Sequence, residues 1–127
     1  MRVIGRYLLT ALDAARAAML TVQMNSARRK EGPTRLLSRV RARGFRSRMR
    51  TANDRARLQG MIRLVDRFFP AGPNCYRRVL VEMAMDPSAA SEPLHLGINA
   101  RDGMVAGHAW LESSLDKGPG YQVEFRA

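Results

Sequence analysis

Apolar residues recur at helical spacing through the first half of the chain and alternate through the last third. Over residues 3–24, Leu8, Leu9, Leu12, Ala15, Met19 and Val22 recur as on one side of a helix, so this stretch reads as an amphipathic helix. Residues 34–69 read as one or two further helices. Thr34 follows Gly32-Pro33 as a helix-starting residue, and Leu36, Leu37 and Val40 open an apolar stripe. Gly44 is expected to break or kink it. Leu58, Met61, Ile62, Val65 and Phe69 then form a second stripe. Pro70-Ala-Gly-Pro73 is a stop and a turn. Asn74 reads as the cap of a short helix over Cys75–Met85, closed by Asp86-Pro87, with a loop over residues 88–93.

Beyond that loop the period changes. Leu94-His-Leu-Gly-Ile98 alternates like a strand, Arg101-Asp-Gly103 signals a turn, and Val105–Ser113 reads as a second strand. Residues 115–120 read as a Gly-Pro-rich loop and Tyr121–Phe125 as a third strand. Helices followed by a small antiparallel sheet give an α+β class. The length of 127 residues fits one domain, with residues 1–69 helical and Arg-rich and 70–127 carrying the Cys-bearing helix and the sheet.

Charge changes the picture only locally. Residues 28–67 hold 14 basic and three acidic residues, a net of +11 that equals the charge of the whole chain. Almost all of it is arginine, which suits bidentate contacts to carboxylate or phosphate. A nucleic-acid role is disfavoured, because Phe45 is the one aromatic among residues 28–50 and no recognised nucleic-acid motif accompanies the arginines. No uninterrupted apolar run of the roughly 18–20 residues needed to span a bilayer is present. With no evident secretory signal, a cytoplasmic location is expected.

The single cysteine, Cys75, is either a packed apolar residue or a reactive thiol. Its expected place at a helix start favours a thiolate and offers a backbone donor for an oxyanion. His108 lies 33 residues later in Gly107-His-Ala-Trp-Leu-Glu112, where alternation sets His108, Trp110 and Glu112 on one strand face. A strand-borne histidine can serve as general base to a helix-borne thiol. His95 sits on the neighbouring strand, facing away from Leu94 and Leu96, and reads as a solvated residue.

The pair Asn74-Cys75, with Arg78, Val79 and Leu80 after it, and the Gly-His108-Ala-Trp-Leu-Glu112 strand resemble the Cys and His motifs of the transglutaminase-like (papain-type) cysteine peptidases. Within that superfamily the layout is most similar to the leader peptidases of lasso-peptide biosynthesis. The resemblance covers residues 1–125 in layout and 74–112 in motif. It implies a Cys–His–acid triad that removes the leader from a ribosomally made precursor peptide, with Cys75 as nucleophile and His108 as base. The family's acid falls near Gly120-Tyr121 here, so the third member is open between Asp116, Glu124 and Gln122, with Asp116 favoured by residue type. The resemblance further implies a separate leader-recognition protein and a cyclase as partners, and no metal or organic cofactor. The alternative is a non-catalytic basic module for nucleic acid or an acidic protein, in which Cys75 is only packed.

Overall fold

A computed structural model describes residues 2–101, 104–114 and 123–127. Five helices precede three strands: α1 (Arg2–Lys30), α2 (Pro33–Phe45), α3 (Ala52–Arg67), α4 (Cys75–Met85), α5 (Pro87–Ala90), β1 (Leu94–Arg101), β2 (Met104–Leu111) and β3 (Val123–Arg126). The class is α+β. The sheet is antiparallel with order β2-β1-β3.

The first helix runs a turn and a half beyond its expected end. Nothing in Asn25–Lys30 stops a helix, and Arg28, Arg29 and Lys30 in its last turn complement the negative end of its dipole. The apolar stripe read from the sequence does not meet the core. Leu8, Leu12, Met19 and Val22 face solvent, while Asp13, Ala17, Leu20, Thr21 and Met24 are the buried side. α2 starts before Thr34, because Pro33 takes the first helical position, where its fixed φ and missing N–H do no harm. Gly44 lies one residue from the end of that helix, and its main role is a crossing. A Cβ there would lie 1.9 Å from the Met83 carbonyl oxygen and 2.7 Å from the Ala90 Cβ, so only glycine lets α2 approach α4 and α5 this closely.

Thr51 caps α3 by accepting from the Asp54 N–H at 3.2 Å. Asn74 caps α4 by accepting from the Arg77 N–H at 2.9 Å. The expected loop after α4 contains one helical turn, α5, because Pro87 sits at its first position and Asp86 accepts from the Ser88 N–H at 3.0 Å. α4 is the central element: Leu80, Val81 and Met83 are fully buried and meet residues of α1, α2, α3 and the sheet. The sheet offers this core one face, where Leu94 pairs with Leu111 and Leu96 with Ala109.

Candidate active site

The site is built where the start of α4 meets the outer edge of β2. Cys75 is the first residue of α4, half-buried against the core. Its position is set from below by two buried charges. Asp66, on α3, accepts from the Asn74 backbone N–H at 2.8 Å and from Arg77 Nε at 2.7 Å. Arg77 also donates to Asn25 Oδ1 at 3.1 Å and to the Gly72 carbonyl at 2.7 Å, and its guanidinium lies 4.3 Å over the Phe69 ring. Both side chains are only 1% exposed. A buried ion pair is tolerated when its remaining donors and acceptors are filled, and here the filling groups come from α1, α3, the Pro70–Pro73 turn and α4. The helix start is thereby pinned to three other parts of the chain.

Above it lies β2. Among the described residues it is an outer strand, and alternate N–H groups turn away from β1. One of these, on Ala109, donates to Cys75 Sγ at 3.3 Å. The residue immediately before Ala109 is His108. Cys75 and His108 both line a cavity of about 410 Å³.

His108 belongs to the face of the sheet away from the core. Its ring stacks on Trp110 with centroids 5.5 Å apart, and Trp110 stacks in turn on His95, also at 5.5 Å. His95 is therefore not the solvated residue that alternation suggested. It lies directly across from Trp110 in the β1–β2 register, and its side chain is 15% exposed. Glu112 contacts His95 Nε2 at 3.7 Å and Arg126 at 3.1 Å.

The register singles out Gly97. It pairs with His108 on one side and with Glu124 on the other, so the three positions form one row across the sheet with a glycine in the middle. Asp116 and Gln122 lie outside the described residues.

Sequence reasoning missed a third group. Arg78, Val79 and Glu82 follow Cys75 along one side of α4 and line the same cavity. Glu82 accepts from Gln59 at 3.1 Å and from Arg55 at 3.4 Å. Arg55 is shared with Glu92 and with Asp86, which lies 3.1 Å from its Nε. Burial pushes the Glu82 carboxyl above its ordinary value of 4.5; Gln59 and Arg55 oppose this and Asp86 adds to it. The i, i+3, i+7 spacing of Cys75, Arg78 and Glu82 was the available signal, since it sets these three residues on one side of the helix.

Part of the arginine-rich segment is engaged within the fold. Arg41 donates to the carbonyls of Ala90, Glu92 and Ala127 at 3.2, 3.0 and 3.0 Å. Arg50 donates to the Met85 carbonyl at 3.0 Å and clamps Asp13, which Arg48 also reaches at 3.0 Å. These cations staple helices together, while Arg29, Lys30, Arg35, Arg46, Arg57, Arg63 and Arg67 are exposed.

Among the described residues, no group of three His, Cys, Asp or Glu side chains could hold a metal ion. Among the same residues, no helix is long and apolar enough to cross a membrane. Comparison with family models, curated proteins and solved structures finds nothing that matches this chain.

Proposed function

We propose that the protein is a cysteine peptidase of the transglutaminase-like kind that removes the leader from a ribosomally made precursor peptide, as in lasso-peptide maturation. One observation carries the reading. The Cys75 sulfur, at a helix start, accepts from the backbone of the residue next to His108, and both residues open onto one cavity. Two residues with independent packed roles have no need to converge on a shared hollow.

In this mechanism Cys75 attacks the scissile carbonyl while His108 takes the thiol proton. The Cys75 N–H, free at the helix start, donates to the developing oxyanion. His108 returns the proton to the departing amine, leaving an acyl-enzyme. Water, deprotonated by His108, hydrolyses the thioester and regenerates the thiol. Glu124 is the acid we favour for orienting His108, over Asp116 and Gln122. Adjacent strands are ~4.8 Å apart, so the His108 and Glu124 backbones are separated by roughly 10 Å, with no side chain between them at Gly97. This shared row is what favours Glu124 in the proposal. The substrate, a separate leader-recognition protein, a cyclase and a cytoplasmic setting complete the proposal.

The test is leader release from a precursor peptide in the presence of the recognition protein, followed by mass spectrometry. Wild-type protein should release the leader. Cys75→Ala should abolish release and His108→Ala should reduce it by several orders of magnitude. Glu124→Gln should lower kcat with little change in thermal midpoint. Cleavage by Cys75→Ala at the wild-type rate would end the proposal.

A further inference from the structure

The two sides of α1 pose a problem that the catalytic reading leaves untouched. Its buried side, Asp13 to Met24, docks on the body of the protein. Its solvent side is apolar instead of charged. Leu8 is 61% exposed, Leu12 44%, Met19 45% and Val22 60%, and Ala15 is exposed among them. From Leu8 to Val22 these positions are spaced four, three, four and three residues apart, the seam of a coiled-coil helix. Further toward the start, Ile4 prolongs the strip and is 72% exposed. An apolar strip of this length on a surface helix marks an interaction site.

Its surroundings select the occupant. Arg16 is exposed beside the strip, and Arg29 and Lys30 are exposed at its far end. The one acidic residue of α1, Asp13, is buried and held by Arg48 and Arg50. A second copy would therefore bring cations with no α1 carboxylate to meet them. Alanine at positions 11, 15 and 18 leaves shallow ground between the larger side chains, which accommodates the ridges of another helix and gives little apolar depth to a lipid surface. We infer that the solvent face of α1, from Leu8 to Val22, docks an amphipathic helix of a different polypeptide whose apolar seam is flanked by Asp or Glu.

The probe is a synthetic heptad peptide with leucine along its seam and glutamate on both flanks, titrated against the full chain by calorimetry. A twin peptide with lysine flanks serves as control. The glutamate peptide should bind, more weakly as salt is added, and the lysine twin should not. The double variant Leu12→Glu, Met19→Glu should weaken binding at least about tenfold without moving the thermal midpoint, because both side chains are in solvent. No binding of the glutamate peptide, or equal binding by the double variant, would overturn the inference. So would a wild-type dimer in sedimentation that the double variant dissociates, or binding to phosphatidylglycerol vesicles with none to the peptide. None of these outcomes bears on leader cleavage by Cys75, so the two proposals fail separately.

Discussion

Two clusters of carboxylates and arginines are built from the same parts in different proportions. Around Asp13, two arginines serve two acids: Arg50 reaches Asp13 at 2.8 Å and Asp54 at 3.3 Å, and Arg48 reaches them at 3.0 and 2.7 Å. Burial pushes the Asp13 carboxyl up, but the hydrogen bonds and charges of Arg50 and Arg48 outweigh it and hold Asp13 below its ordinary 3.8. Around Glu82, one arginine serves three acids: Arg55 contacts Glu82, Asp86 and Glu92. There the outcome splits. Glu92 gains the Ser113 N–H at 2.8 Å and, despite burial, is held low by Ser113 and Arg55, whereas burial wins at Glu82. The hydrogen bonds and cations gained against burial thus decide which carboxylate is comfortable when charged: Asp13 and Glu92 gain enough to outweigh burial and Glu82 does not. The balanced cluster ties α1 to the segment before α3. The acid-rich cluster presents Arg55 and Glu82 to the cavity that Cys75 shares. Groups held away from their ordinary protonation collect at working sites more often than in scaffolding.

The comparison breaks most visibly at Arg55. Arg55→Met leaves three carboxylates without their cation, and a loss of about 4 kcal/mol in urea unfolding at neutral pH is expected. Much of that loss should return in acid, as the carboxylates take up protons. An equal loss at all pH values would show that Arg55 acts by packing alone.

Asp13→Asn comes next, at about 3 kcal/mol, since it strips Arg50, only 2% exposed, of its best partner. Its pH dependence has the same sign as that of Arg55→Met. A carboxyl lowered in the folded state contributes stability that is full above its ordinary 3.8 and fades as pH falls through the native value. The gap between wild type and Asp13→Asn should therefore be widest near neutrality and close in strong acid. A gap that widens as pH drops would contradict the assignment.

Glu82→Gln is the smallest change and the sharpest discriminator. The native carboxyl is raised above 4.5, so it costs stability once pH rises through its native value. Glutamine removes that cost and keeps a partner for Gln59. The variant should be equal to wild type or more stable by about 1 kcal/mol at neutral pH, and should lose that advantage below the ordinary carboxylate range. A loss of several kcal/mol at neutral pH would place Glu82 with Asp13 after all.

What could be read in the sequence was local. Asn74 before Cys75 and Asp86-Pro87 after Met85 delimited α4, because caps and prolines act within a few residues. Alternation located the strands and set His95 opposite the leucines. It could not show that His95 rests on Trp110, because that depends on cross-strand register. The stripe of α1 was read correctly as helical, yet the spacing is blind to which side the body of the protein covers. Long-range charge pairing was equally invisible: Arg77 finds Asp66 11 residues back, and Arg50 finds Asp13 37 residues back. Gly44 lies where α2 ends, as its place in the sequence implies, but nothing nearby shows that the Met83 carbonyl passes beside it.

The bond from the Ala109 N–H to Cys75 Sγ has a consequence for the solubility of the protein. An outer strand with open N–H groups is a template onto which another chain can add, and the start of α4 blocks this one at Ala109. Loosening α4 would uncover that edge and start chain-to-chain growth. Aggregation on mild heating should then begin at β2, and an alkylating reagent large enough to displace the sulfur from the strand should hasten it. Cys75→Ser, which keeps an acceptor for Ala109, should stay dispersed longer than Cys75→Ala.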